Sequence, residues 1–148
     1  MTNIPRAALI IGLAGLLPFL WGTLSALLPA LARPVTNLTA QRFAGTELLV
    51  DYGVIILCFM SGALWGFAAR GGSTISFALS VVPVLWVLLF LGETPQQDLR
   101  TLIGGYLGIL LLDAFFWMRR YAPGWWMALR LVLTAVAVPC LVLGLYYG

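Results

Sequence analysis

The 148 residues of this chain are 62% hydrophobic and 9% charged, with a formal net charge of +3, whereas ordinary soluble domains have about 25% charged residues. This composition leaves no room for a separate water-soluble domain. The chain contains no histidine, which excludes histidine-based metal sites, haem ligation, serine–histidine triads and histidine proton relays.

Five apolar runs fill most of the chain: residues 7–28, 48–69, 75–91, 101–118 and 127–146. A hydrocarbon core about 30 Å thick needs roughly 20 apolar residues in a helix, with about 17 to 25 tolerated. All five runs fall in this range, and they must be helical because a bilayer holds no water for unpaired backbone groups. The sequence therefore predicts an all-α, polytopic membrane protein in which residues 1–148 form a single domain of five transmembrane helices. Two loops of some size, 29–47 and 119–126, and two tight connections join them.

The first run has an alternative interpretation as a cleaved signal peptide. Arg6 precedes it, and residues 30–32 (Ala-Leu-Ala) have the form of a signal-peptidase site. We expect a retained helix instead, since this run is longer than the roughly 7 to 15 residues of a signal-peptide core. Pro18 in this run is predicted to kink its helix, as are Pro83 and Pro139 in the third and fifth runs.

The second run begins with a polar face. At 100° per residue, Glu47, Asp51, Cys58 and Trp65 lie on the same side of a helix, together with Gly62. One interpretation is the wall of an outward-facing vestibule. The alternative, which we prefer, is that the two carboxylates mark the interfacial N-terminal end of the helix, where its dipole favours them. Mid-span cysteines such as Cys58 are expected to behave as small hydrophobic residues.

Small residues predict where the helices touch. Two GxxxG pairs occur, Gly62 with Gly66 in the second run and Gly104 with Gly108 in the fourth. In the first run, Gly12 and Gly15 lie along one side of the helix. Close backbone approach at such residues drives helix packing in lipid. We expect contacts within the chain first, with contacts to a second copy as the alternative.

Two ionisable residues lie at membrane depth in the fourth and fifth runs. An antiparallel hairpin would place Asp113 and Arg130 at similar depths, roughly 6 to 8 Å inside the membrane at 1.5 Å per residue. A lone charge at that depth costs several kcal/mol. The sequence therefore predicts a buried ion pair; a structural role is preferred, and a proton or substrate path remains the alternative.

The arginines predict the orientation. An N-terminus in the cytoplasm puts five arginines on the cytoplasmic side and three on the other, so we expect the N-terminus inside and the C-terminus outside. The five are Arg6, Arg70, Arg119, Arg120 and Arg130, and the three are Arg33, Arg42 and Arg100.

The opening IPRAALIIGLAGLLPF (4–19) and the segment YGVIILCFMSGALWG (52–66) resemble a family of small membrane proteins, domain of unknown function 3429. The resemblance extends to residues 80–83, Asp113 and 125–131, and so covers nearly the whole chain. It implies an inner-membrane protein of bacterial or mitochondrial type, and for this chain we expect the bacterial inner membrane. The family often has a histidine where this chain has Leu64, so any role that the histidine has in the family is less expected in this chain. No agreed activity comes with the resemblance.

Two classes of function remain. The preferred one is a non-catalytic accessory, stabilising or assembly subunit that packs against a larger membrane complex. The alternative is a small oligomeric transporter or channel with a polar site at Asp51 or at Asp113 and Arg130. We expect no enzyme activity, cofactor or bound metal. The expected partners are lipid and other membrane subunits or a second copy, and no motif supports nucleic-acid binding.

Overall fold

The structure is a computed structural model that describes residues 3–38, 40–71, 73–92 and 94–148. Within these ranges it contains only helices and connections, which confirms the all-α prediction. The described residues form seven α-helices and one short 3-10 turn, Gln41–Phe43. The α-helices are α1 (Arg6–Ala14), α2 (Leu17–Leu27), α3 (Pro29–Leu38), α4 (Gly45–Gly71), α5 (Thr74–Phe90), α6 (Pro95–Met118) and α7 (Trp126–Tyr147).

The first apolar run is divided into α1 and α2 by a break at Gly15 and Leu16. Pro18 lies one turn later and has no N–H to donate to the carbonyl of Ala14, so the helical hydrogen-bond ladder cannot continue there. The helix is thus interrupted beside Pro18, whereas Pro83 and Pro139 lie inside continuous helices. The kinks at the three prolines stay predictions. The two halves differ in burial: α2 contributes buried residues to the core, and none of the described residues of α1 is buried.

Residues 29–47, predicted as a loop, instead contain α3 and the 3-10 turn. Pro29 is the first residue of α3, where a missing N–H is tolerated. With ten residues, several of them polar, α3 is too short and too polar to be predicted as a membrane span. None of its residues is buried. Two hydrogen bonds tie this connection to α2: the indole of Trp21 donates to the carbonyl of Phe43 (3.0 Å), and the backbone N–H of Gly45 donates to Ser25 Oγ (2.7 Å).

Four of the predicted spans are long and apolar enough to cross a bilayer: α1 with α2 over 22 residues, α4 over 27, α6 over 24 and α7 over 22. The remaining one, α5, is also apolar but has 17 residues, about 25 Å at 1.5 Å per residue. The helices extend beyond the apolar runs where polar residues form the first turn. In α6 the hydroxyl of Thr94 caps the helix by accepting from the N–H of Gln97 (3.2 Å).

The core lies where α2, α4, α6 and α7 meet, and α5 packs on the outside against α4 and α6. Its fully buried side chains are mostly leucines and aromatic rings, including Phe19, Leu49, Leu57, Leu102 and Tyr106. Glycines permit the closest approaches. A Cβ atom on Gly53 would lie 2.9 Å from a methyl group of Leu102, and one on Gly105 would lie 2.7 Å from a methyl group of Leu57.

The predicted glycine contacts are met in part. Gly12 faces Leu133 and Leu129, Gly15 lies near the hydroxyl of Tyr52, and Gly104 lies beneath the ring of Trp86. The other three glycines of the GxxxG pairs differ from the expectation of contacts within the chain. No atom of the described residues lies within 4 Å of a Cβ placed on Gly62, Gly66 or Gly108, and all three are exposed.

Candidate functional site

The hairpin of α6 and α7 sets the geometry of the buried charges. The last turn of α6 closes in a Schellman arrangement: the N–H of Tyr121 donates to the carbonyl of Phe116, and the N–H of Arg120 donates to the carbonyl of Trp117, both at 3.0 Å. Arg120 takes the left-handed conformation (φ 60°) that such an ending requires. The chain then turns sharply into α7, which runs back along α6.

This hairpin brings Asp113 and Arg130 together. Nε of Arg130 donates to Oδ2 of Asp113 at 2.6 Å, and the side chains are 3% and 1% exposed. The indole N–H of Trp126 donates to the other carboxylate oxygen at 2.7 Å. Both oxygens of Asp113 therefore have a donor, as a carboxylate at this depth requires.

Trp126 belongs to the site, and sequence reasoning missed it. A tryptophan at the start of a span is typical of an interfacial aromatic belt, and that general pattern hid a specific role. The available signal was its spacing. Trp126 precedes Arg130 by four residues, so both side chains lie on the same face of α7.

Two buried polar atoms of α7 have no hydrogen-bond partner among the described residues: Nη2 of Arg130 and Oγ1 of Thr134. Thr134 is 5% exposed and lies one turn beyond Arg130. Buried threonines in helices often donate to the carbonyl four residues earlier, and Thr23 does so to Phe19 at 2.9 Å. The hydroxyl of Thr134 makes no such bond.

Both atoms belong to residues that line one cavity of about 270 Å³ between α1, α2, α4, α6 and α7. Three aromatic rings form part of its wall: Phe19 packs edge-on against Tyr52 and Tyr106, with ring centroids 5.1 and 5.9 Å apart. The two tyrosine hydroxyls donate to backbone carbonyls, of Gly15 at 2.9 Å and Gly53 at 3.1 Å. The cavity wall is otherwise mostly apolar.

A second, larger groove of about 520 Å³ continues from this cavity between α1, α4 and α7. Arg130 and Met60 line both spaces, and the far part of the groove is lined by Trp125 and the exposed Arg70. The two spaces together lead from the arginine-rich end of the bundle to the buried guanidinium.

The predicted polar face of α4 divides into two parts. Asp51 forms a surface ion pair with Arg42 of the 3-10 turn at 3.2 Å, with side chains 46% and 63% exposed. Glu47 is exposed in the first turn of α4. These positions match the interfacial interpretation of the two carboxylates.

The other two members of that face lie against α5. Cys58 lines a shallow groove beside Ser61 and Ser80, and the hydroxyl of Ser61 donates to the carbonyl of Ser80. The ring of Trp65 packs against Phe77 with centroids 4.9 Å apart. Across the described ranges, no three metal-ligating side chains come together.

These features define a multi-pass, all-helical membrane protein with a buried carboxylate, both of whose oxygens accept hydrogen bonds, beside a cavity of about 270 Å³. Residues 4–146 match the family model described as "Protein of unknown function (DUF3429)", and the chain belongs to this family. This confirms the family indicated by the resemblance of its first two spans.

Two curated relatives carry the name transmembrane protein 69. The mouse protein is 36% identical over 140 residues, which cover 90% of this chain and 53% of the relative. The Xenopus tropicalis protein is 34% identical over 151 residues, covering 96% of this chain and 54% of the relative. The chain thus spans about half the length of the curated relatives it matches, and both are animal proteins. No solved structure matches the chain.

Proposed function

We propose that this protein is a non-catalytic accessory, stabilising or assembly subunit that packs against a larger complex in an inner membrane of bacterial or mitochondrial type. The observation that carries the proposal is the outward face of α4. Gly62 and Gly66 lie on that face, and no atom of the described residues comes within 4 Å of a Cβ at either position.

A glycine inside a helix costs roughly 0.5 to 1 kcal/mol relative to alanine. The cost is offset where a neighbouring helix packs closely against the glycine, as α6 does at Gly53 through the side chain of Leu102. At Gly62 and Gly66 no such neighbour exists within the described chain. Small residues spaced by four permit tight contact between transmembrane helices, so we assign this face to a transmembrane helix of a partner protein.

A third outward glycine supports contact with a larger complex, in preference to a dimer of this chain. Gly108 lies on α6, in the groove between α6 and α5, whereas Gly62 lies in the groove between α4 and α5. The two glycine-lined grooves therefore flank α5 on opposite sides. A twofold dimer uses one self-complementary patch, and two separate patches suit a subunit that contacts more than one helix of a complex.

The alternative, a small oligomeric transporter or channel, has weaker support. Asp51 is held at the surface by Arg42, and both oxygens of Asp113 accept hydrogen bonds from α7. Neither carboxylate has the open coordination that a transport site for a cation or proton would use.

The test combines crosslinking with bulky substitutions at native expression. A photo-crosslinking residue at the exposed Phe59, on the same α4 face, should capture one defined protein, and the same residue at the exposed Leu88 of α5 should not. Gly62→Leu and Gly66→Leu should each abolish the crosslink and the stoichiometric co-purification of that protein in mild detergent. Ala78→Leu introduces the same side chain at an exposed position of α5 and should preserve both.

Three outcomes would contradict the proposal. One is a crosslink only between copies of this chain. Another is a homo-oligomer that carries solute flux in liposomes, which would favour the transporter. The third is a partner that the two glycine variants retain as fully as the Ala78 variant does.

A further inference from the structure

The cavity beside the ion pair has the chemistry of a ligand site, and the groove that adjoins it includes Gly66 and Phe59 of the α4 face described above. Nη2 of Arg130 and Oγ1 of Thr134 are hydrogen-bond donors one helical turn apart, both buried, and both without a partner among the described residues. Their side chains line the same cavity. Because a buried donor without a partner is destabilising, an acceptor bound in the cavity would be favoured by satisfying both donors.

The charge balance selects the kind of acceptor. Arg130 is already neutralised by Asp113, and no other charged residue lines the cavity. A carboxylate or phosphate would leave one net negative charge buried at membrane depth, which is strongly unfavourable. A neutral carbonyl oxygen accepts the same hydrogen bonds and leaves the charge balance unchanged.

Shape and surroundings narrow the ligand further. The cavity, at about 270 Å³, suits the head of a small molecule, and the rings of Phe19, Tyr52 and Tyr106 supply flat aromatic walls. The adjoining groove beneath α1 is largely apolar and continues to the end of the bundle, so it can hold an apolar tail. Since α1 buries none of its described residues, the groove is accessible from the lipid.

We propose that this cavity binds a membrane quinone: a neutral ring with carbonyl oxygens on an apolar tail. One carbonyl accepts from Nη2 of Arg130 and the hydroxyl of Thr134, the ring packs among the aromatic side chains, and the tail lies in the groove between α1, α4 and α7. Asp113 and Trp126 are positioning residues, because Asp113 accepts from Nε of Arg130 and Trp126 donates to the other oxygen of Asp113.

The experiment titrates the detergent-extracted full chain with a benzoquinone that carries a decyl chain, and follows tryptophan fluorescence and the thermal unfolding midpoint. We expect saturable quenching and a raised midpoint. Decanoic acid and decylbenzene carry comparable tails without a neutral carbonyl on a ring. We expect neither of them to compete with the quinone.

Thr134→Val removes the hydroxyl at nearly constant volume and should weaken quinone binding about three- to tenfold, and Thr134→Ser should restore it. The matched control is Thr23→Val. Thr23 is equally buried but donates to Phe19 and lies outside the cavity lining, so the affinity should stay unchanged even where the unfolding midpoint falls.

Four outcomes overturn the proposal. They are quenching that never saturates, competition by decanoic acid, competition by decylbenzene, and equal loss of affinity in the Thr134→Val and Thr23→Val variants. The first would mean that the quinone only partitions into the detergent micelle. The second would show an anion site, the third would show binding through the tail alone, and the fourth would show a purely structural effect.

Discussion

The buried pair makes folding depend on both of its partners. Asp113→Ala would leave the guanidinium of Arg130, only 3% exposed, without a counter-ion and the indole of Trp126 without an acceptor. Unit charges about 4 Å apart interact by about 4 kcal/mol at an effective dielectric constant of 20. Removing one partner of a buried pair costs about 3 to 5 kcal/mol in measured cases. We therefore expect the free energy of unfolding to fall by about 4 kcal/mol.

The double variant separates pairing from simple loss of packing. Arg130→Ala alone should also destabilise, because it strands a buried carboxylate that retains only Trp126. The double variant Asp113→Ala/Arg130→Ala strands neither charge, so its loss should be at least about 2 kcal/mol smaller than the sum of the single losses. The assay is reversible unfolding in bicelles, supported by thermal unfolding in mild detergent.

Asp51→Ala is the matched control, because it removes an aspartate from an ion pair with Arg42 that is about half exposed. Such surface pairs contribute about 0 to 1 kcal/mol, so this variant should lose no more than that. Strictly additive losses in the Asp113 and Arg130 cycle would refute the pairing argument. A loss from Asp51→Ala as large as that from Asp113→Ala would refute the assigned importance of burial.

Three further outcomes follow from the packing and the charges. Gly144→Ala should lower the free energy of unfolding by about 1 to 3 kcal/mol by overpacking, because its Cβ would collide with the buried Leu49. Gly108→Ala meets no neighbouring atom and should raise the free energy of unfolding by roughly 0.5 to 1 kcal/mol; thermal unfolding of the two extracted variants compares them directly. Ser25→Ala should cost about 1 to 2 kcal/mol in the same assay, since it leaves the first N–H of α4 without its acceptor. A reporter fused after Gly148 should read out on the non-cytoplasmic side, and a cytoplasmic signal would reverse the predicted orientation.

Hydropathy was sufficient to predict the helices of the bundle, because each helix must satisfy its backbone internally and span a fixed thickness. The contact between Asp113 and Arg130 was also accessible to sequence reasoning. A short connection forces α6 and α7 to run antiparallel, so residues equally far from the turn reach similar depths. The same logic extends to Trp126, one turn before Arg130 on the same face.

The packing of the glycines was harder to predict, for a physical reason. A GxxxG pair states that a helix has a smooth face, but it does not state which neighbour uses that face. Gly62 and Gly66 formed the clearest pattern and point away from the bundle, whereas Gly53 and Gly105 lie against leucines of neighbouring helices without such a pattern. Only the rotation of each helix about its axis decides between these cases, and uniformly apolar spans carry little information about rotation.

The helix α3 within residues 29–47 was not predicted, because a search for membrane spans detects only segments that are both long and apolar. α3 has ten residues, and its polar and apolar positions alternate with the helical period. Such a helix is recognised by its periodicity and not by its mean hydropathy.

The break at Gly15 and Leu16 gives the two halves of one apolar run different mechanical roles. α2 is held in the core by the buried ring of Phe19 and by the hydrogen bonds of the Thr23 hydroxyl, while α1 lies over the groove without a buried residue. We therefore expect α2 to be the rigid half of this run and α1 the more mobile half. The hydroxyl of Tyr52 donates to the carbonyl of Gly15 at the connection between them. Amide hydrogen exchange should therefore be faster in α1 than in α2, although both belong to one apolar run. The groove beneath α1 lies in the half of the membrane that α1 occupies.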